Sequence, residues 1–268
     1  MKYNRVLTIA GSDSGGGAGI QADIKTISAL GAYAASVITA VTVQNTVGVT
    51  AVHPIPVDII EGQIDAVLSD IGADAIKIGM LHHVEVVECV IKALDRYNFT
   101  NVVLDPVMVS TSGHKLIEDD AINLLRAELM PRSRIITPNI PEAEILLGEK
   151  ITDDSDLKIL AQKLSFGDKC SVLLKAGHLT DDVLTDIFYN AEDQSITPLT
   201  SQRLHTPNTH GTGCTLSSAV AAHLALGYEP TEAATLAKKY ISKAIISGAQ
   251  YEIGKGHGPV DHLFAIRK

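Results

Sequence analysis

Short β-branched apolar runs alternate with helically spaced apolar positions along almost the whole chain. Arg5–Ala10 reads as a buried strand, followed by a Gly11–Gly19 loop and a helix over Ile20–Leu30, with Ile20, Ile24, Ile27 and Leu30 on one face and Gly31 as its stop. Ala35–Val43 is the next strand, closed by Gln44-Asn45-Thr46, and a second short strand follows at Val47–Val52. The pattern then predicts a helix at Val57–Ile71, a strand at Ala75–Gly79, a helix at Val84–Tyr97 and a strand at Asn101–Asp105. Helices at Asp119–Leu129, Glu142–Leu147 and Asp156–Leu164 flank strands at Arg134–Thr137 and Ser171–Lys175. Val183–Tyr189 and Ser195–Leu204 form a hairpin across Ala191–Gln194. A helix starting near Cys214 and another over Thr231–Ala249 complete the series. Repeated strand–helix alternation with wholly apolar strands is the signature of an α/β fold: a mostly parallel central sheet, helices on both faces and a small antiparallel edge hairpin. No linker or repeat divides residues 1–268, which are read as one domain.

Composition narrows the partners. With 31 acidic against 22 basic residues the formal charge is −9, and no basic run is present, which argues against nucleic acid or an anionic membrane as a partner. Three widely spaced cysteines (Cys89, Cys170, Cys214) suit neither a disulfide framework nor a structural zinc site. No signal peptide or bilayer-length apolar run is read, so the expected compartment is the reducing cytoplasm.

The chemistry gathers at the strand ends, where ligands bind in such sheets. Thr209-His210-Gly211-Thr212-Gly213-Cys214 combines a glycine-rich loop with a helix start, which aims backbone N–H groups and a helix dipole at one point and makes an anion site. Cys214 at that terminus is expected to have a lowered thiol pKa. Asp105 fits either a Mg²⁺ ligand or a turn before Pro106. Asn139 and Glu142, in Asn-Ile-Pro-Glu, fit either the same metal or a helix cap. Lys175 either meets a phosphate or snorkels to solvent, and Gln44 either reads a heterocycle edge or bonds loop backbone. The Gly11–Gly19 loop lacks the Lys-Ser/Thr ending of a P-loop and the GxGxxG dinucleotide pattern. It and Val107–Lys115 are lid candidates by composition. His82-His83 is read as a helix start in preference to a metal pair.

Ala10–Asp23, with Gly-Ser-Asp-Ser-Gly-Gly-Gly-Ala-Gly at its centre, and Asn208–Ser217 strongly resemble the hydroxymethylpyrimidine/phosphomethylpyrimidine kinases of thiamine synthesis, members of the ribokinase-like superfamily. Thr39–Thr46, Lys77–Leu81, Leu104–Met108 and Gly254–Val260 extend the resemblance over the chain. It implies ATP-dependent phosphorylation of 4-amino-5-hydroxymethyl-2-methylpyrimidine and then of its monophosphate, with pyridoxal kinase as the nearest alternative and a non-catalytic nucleotide sensor as a more distant one. By the same resemblance Gln44 binds the pyrimidine edge, and Gly11, Ala18, Asp23, Met80 and Val107 line its pocket. Asp105 and Glu142 hold Mg²⁺, while Asn139, Lys175, His210 and Thr212 serve the nucleotide. Gly211 and Gly213 form the anion hole, Cys214 is the base, and Lys238 attends the second transfer. A homodimer is also implied. Thr42 stands where related chains often carry an aliphatic residue.

Overall fold

A computed structural model describes residues 3–108, 117–152, 156–177 and 182–266. The strands β1 (Arg5–Asp13), β2 (Tyr33–Asn45), β3 (Gly48–Pro54), β4 (Ala75–Ile78), β5 (Val102–Leu104), β6 (Ile135–Ile136), β7 (Ser171–Leu174), β8 (Val183–Asn190) and β9 (Ser195–Gln202) form one nine-stranded sheet. Its order is β3-β2-β1-β4-β5-β6-β7-β8-β9. The six strands from β2 to β7 in that order are parallel, and β3, β8 and β9 are antiparallel additions. Both edges are therefore antiparallel, where the sequence pattern predicts one such edge. The Val183–Tyr189/Ser195–Leu204 hairpin closes one side, and the short Val47–Val52 strand pairs back onto β2 to close the other.

The helices are α1 (Gly19–Ala29), α2 (Val57–Ala66), α3 (Val84–Arg96), α4 (Asp119–Leu124), α5 (Ile140–Leu147), α6 (Leu157–Leu164), α7 (Thr212–Ala225) and α8 (Pro230–Gly248). Alternation along the strands sorts them into two layers. Leu7, Ile9, Ile76, Ile78, Val102 and Leu104 pack with α2 to α6, whereas Val6, Ala75 and Val103 pack with α1, α7 and α8. Several boundaries move. β1 continues past Ala10 to Asp13 through a bulge, so the glycine loop begins later than the apolar pattern suggests. The helices expected at Val57–Ile71 and Asp119–Leu129 each finish in a π turn, and the late helix starts at Thr212 rather than Cys214.

One polar pair is enclosed by this layering. Lys77 follows Ala75 on the face of β4 that meets α1 and α7, so a charged residue in an apolar strand lands beneath two helices. Its ammonium lies 3.0 Å from the Asp23 carboxylate of α1, and both side chains are fully buried. Thr8 and Ser218 hydroxyls also donate to Asp23, at 2.6 and 2.7 Å. Removing one member of a buried pair leaves the other charge uncompensated, at a cost of about 3–5 kcal/mol. Asp23→Ala should therefore lower the denaturant midpoint strongly. Loss of only a surface-like few tenths of a kcal/mol in equilibrium unfolding would contradict this account.

Candidate active site

The Gly-rich loop after β1 is organised by one residue, Asp13. Its carboxylate accepts hydrogen bonds from the backbone N–H groups of Gly15 (2.8 Å), Gly17 (3.0 Å) and Ala18 (2.8 Å), and lies 2.8 Å from His210 Nε2. Burial pushes the Asp13 carboxyl up, but His210 and these N–H groups more than reverse that and hold it below the usual range. The loop is therefore fastened rather than free. The other lid candidate, Val107–Lys115, falls mostly on residues outside the described set.

The two glycine loops interlock. Gly211 caps α7 with φ +80°, and a Cβ there would stand 1.8 Å from Gly17 O. A Cβ on Gly17 would in turn meet the His210 ring at 2.5 Å, and one on Gly19 would meet Gly11 O at 2.3 Å. The Gly254–Val260 stretch flanks the same junction, since His210 N–H donates to Gly258 O and Val260 N–H to His210 O. Glycine is required here by contact as much as by backbone angle.

On one side of the junction lie the residues assigned to the pyrimidine pocket. A Cβ on Gly11 would be 2.6 Å from Met80 Cε, and the Gln44 amide reaches Thr42 Oγ1 (3.1 Å) and His210 Nε2 (3.3 Å). Ala18 and Val107 are half-buried at the same strand ends. Two expectations change. Asp23 does not line this pocket, because its carboxylate is enclosed by Lys77, Thr8 and Ser218 behind the wall. His210, expected beside the nucleotide, has its ring on Asp13 and Gln44 instead.

On the other side are the phosphate-facing candidates. Lys175 Nζ donates to Asp105 Oδ1 at 3.0 Å, and Thr137 donates to the same oxygen at 2.9 Å. A Cβ on Gly213 would lie 3.3 Å from Lys175 Nζ and 3.5 Å from Asp105 Oδ2, so the anion loop stands directly over this pair. Asn139 Oδ1 accepts from Glu142 N–H (2.9 Å) and Glu142 Oε2 accepts from Asn139 N–H (2.8 Å), a capping box that starts α5. The cap reading of Asn-Ile-Pro-Glu is therefore realised locally, with Glu142 still buried against the site. Thr212 Oγ1 donates to Thr209 O at 2.7 Å, closing the turn before α7. Lys238, on α8, has its ammonium 2.6 Å from Asp186, whose other oxygen accepts from Ala176 N–H, one residue past Lys175.

The charges explain the titration of this cluster. Burial pushes Asp105 up, but Lys175, Lys77 and Thr137 hold it below the usual carboxylate range. Burial would lower Lys175, but Asp105 and Glu142 raise it and keep it charged. Glu142 is pushed up to about 7, first by burial and then by Asp105, with Lys175 opposing. Cys214 overturns the expected depression: burial lifts its thiol to about 11, with Asp23 and Asp105 adding to the rise, while Lys77 and the Gly19 N–H only partly offset it. The helix terminus is outweighed by enclosure among carboxylates. Cys214 follows Gly211, which meets Gly17, and Gly213, which stands over Lys175 and Asp105, at the start of α7. Asp13, Lys77, Thr8, Thr137, Ser217 and Ser218 are partners that pattern reading does not single out. Only Asp13 carries a local signal, an Asp opening a glycine-rich turn.

The model for phosphomethylpyrimidine kinase matches residues 13–261. The hydroxymethylpyrimidine/phosphomethylpyrimidine kinase of Rhizobium meliloti is 47% identical over 258 residues, covering 96% of each chain. The crystal structure of a phosphomethylpyrimidine kinase from Clostridium difficile superposes with TM-score 0.78 at 45% identity, over 90% of this chain and 99% of that one. Pyridoxal kinase from Staphylococcus aureus, in complex with AMP-PCP and pyridoxal, gives TM-score 0.89 at 34% identity, over 100% of this chain and 96% of that one.

Two outcomes follow from the titration. In ligand-free protein with a chelator present, the raised Glu142 pKa favours the fold below the ordinary value of 4.5, and that contribution is lost as pH rises through about 7. Glu142→Gln should therefore melt above the parent at pH 8 and alike at pH 5, and a difference of the opposite sign at pH 8 would refute it. Alkylation of Cys214 by iodoacetamide should climb about tenfold per pH unit from neutrality towards pH 11, and a plateau near pH 8 would show a depressed thiol instead.

Proposed function

Because the chain belongs to the phosphomethylpyrimidine kinase family, we propose that the junction of its two glycine loops is where a phosphoryl group passes from ATP to a pyrimidine alcohol. The enzyme is an ATP-dependent phosphotransferase of thiamine biosynthesis: it phosphorylates 4-amino-5-hydroxymethyl-2-methylpyrimidine and then the resulting monophosphate. The pyridoxal kinases share the fold at lower identity, which makes them neighbours rather than the better description. The observation that supports this reading is Gly213 set over Lys175 and Asp105, with Cys214 next in the chain and Gly211, two residues before Gly213, against Gly17 of the first loop.

In this reading Gln44 pairs with the pyrimidine edge, while Gly11, Ala18, Met80 and Val107 give the ring a flat, apolar slot. The hydroxymethyl oxygen then faces Cys214. As that oxygen bonds to the γ-phosphorus and the bond to the departing ADP oxygen breaks, the hydroxyl proton passes to Cys214 Sγ. The amides around Gly211 and Gly213, with Lys175, face the charge spreading over the transferring group. The acceptor in this step is the Cys214 thiolate, which becomes the thiol. With a thiol that titrates high it is a scarce but strong base, suited to a proton that leaves only once the alcohol oxygen is bonding to phosphorus. Asn139 and Thr212 frame the nucleotide side, and His210 joins Gln44 at the pyrimidine. Lys238 is read as serving the second transfer, in which it would exchange Asp186 for a substrate phosphate.

The donors present fit Mg²⁺. Asp105 and Glu142 are two hard oxygen ligands whose mutual repulsion one lysine does not fully balance, and among the described residues no group of three or more His, Cys, Asp or Glu forms a dedicated cage. Mg²⁺ commonly takes one or two carboxylates together with substrate phosphates. When bound, it would neutralise phosphate charge. We further read the protein as one 268-residue catalytic domain, a homodimer and a cytoplasmic enzyme. Among the described residues no helix is long and apolar enough to cross a membrane.

The acceptor in the second transfer is an ionised phosphate that needs no base. Cys214→Ala should therefore slow the first transfer about 100-fold or more while leaving the second within a few-fold, in separate single-turnover assays. Equal losses in both would remove Cys214 from the role of base.

A further inference from the structure

A hydrogen count around Gln44 fixes which way its amide points. Asp13 is an ionised carboxylate fed by three backbone N–H groups, so it can only accept from His210, and the hydrogen must sit on His210 Nε2 (2.8 Å). This holds whether the imidazole is neutral or charged. Thr42 Oγ1 lies 3.0 Å from Ser12 O, a pure acceptor, and its single hydrogen is used there. The Gln44 amide lies between these two groups, 3.3 Å from His210 Nε2 at one end and 3.1 Å from Thr42 Oγ1 at the other. With Nε2 toward His210 and Oε1 toward Thr42, two donors would oppose each other, and one hydroxyl hydrogen would have to serve two acceptors. A half-turn of the amide ends the donor–donor opposition and leaves the Thr42 hydrogen to Ser12 O alone: Nε2 donates to Thr42 Oγ1, and Oε1 takes the longer branch, at 3.3 Å, of the His210 N–H that Asp13 holds at 2.8 Å. Amide nitrogen and oxygen are distinguished by such partners.

We propose that Thr42, together with the Asp13-supported His210, locks the Gln44 amide in this one orientation and thereby sets which heterocycle edge the enzyme accepts. Thr42 is a positioning residue here, acting through Gln44. The free lone pair of Oε1 and the second hydrogen of Nε2 then face the slot in a fixed order. On the pyrimidine-kinase reading, the edge matched by that order bears an exocyclic amine beside an unprotonated ring nitrogen. The same order opposes the 4-oxo counterpart, in which a carbonyl stands beside a ring N–H and both partners are reversed. The substrate part of this proposal rests on the pyrimidine-kinase reading above, but the orientation of the amide does not.

Two measurements test it. The first compares kcat/KM for the 4-amino-5-hydroxymethylpyrimidine with that for its 4-oxo analogue. An unpaired buried donor or acceptor penalises the wrong edge heavily, so the parent should prefer the amine by at least ~100-fold. Thr42→Val, which keeps the side-chain shape, should cut that preference about tenfold with KM for ATP unchanged, because the amide can then turn. Thr42→Ser, which restores the hydroxyl, should recover it. An unchanged preference in Thr42→Val would overturn the lock. The second measurement needs no turnover. In ¹⁵N-labelled free enzyme, nuclear Overhauser contacts from the Gln44 side-chain NH₂ should reach the Thr42 methyl and not the His210 ring, and the reverse pattern would overturn the lock. Failure of the parent to phosphorylate the aminopyrimidine would count against the functional reading alone, with the amide contacts still deciding the orientation.

Discussion

Beneath the start of α7, two lysines and three carboxylates are enclosed together. Lys77 pairs with Asp23, Lys175 pairs with Asp105, and Glu142 is left as the excess. Enclosed charge of one sign cannot be left uncompensated, because burial is costly unless each ion is paired. Burial first, and then neighbouring carboxylates, raise Glu142 to about 7 and Cys214 to about 11. The same excess is what the proposed Mg²⁺ would meet at Asp105 and Glu142.

A second constraint is steric. The loop after β1 and the loop before α7 touch at backbone distance, with Gly17 O against Gly211, and the first loop closes on itself, with Gly11 O against Gly19. Residues roughly 200 positions apart are thereby brought to one junction with no side chain between them. Asp13 fastens one loop to the other through His210, and the segment ending at Val260 flanks the seam. In the proposed function this junction is where a slot for the pyrimidine ring meets a phosphate cradle, so that an alcohol in the slot faces the cradle directly, which is how positioning contributes to phosphoryl transfer.

The alternation of apolar runs was enough to identify nearly every element of the sheet, since strands buried on both faces leave few other patterns open. The strand-end residues Gln44, Asp105, Glu142 and Lys175 stood out only as a set: each alone fits a turn, a cap or a loop contact, but a polar residue at nearly every strand end is more than those roles ask for. Partnerships were not legible. Lys77 looks like a stray charge in β4 until α1 supplies Asp23, and Asp23 looks like a pocket residue until Lys77, Thr8 and Ser218 enclose it. His210 shows the same limit, since its neighbours come from β2 and from the first loop.

The sequence by itself determined the fold class and the family and named the candidate reactive groups, all of which depend on local pattern and on motifs read in order. The tertiary structure alone decided how those groups titrate and which way they face. Cys214 sits near a helix start that should lower its pKa, yet the loss of water, and after it the charges of Asp23 and Asp105, raise it. Solvation and long-range charge are properties of the packed molecule, and no stretch of chain encodes them alone.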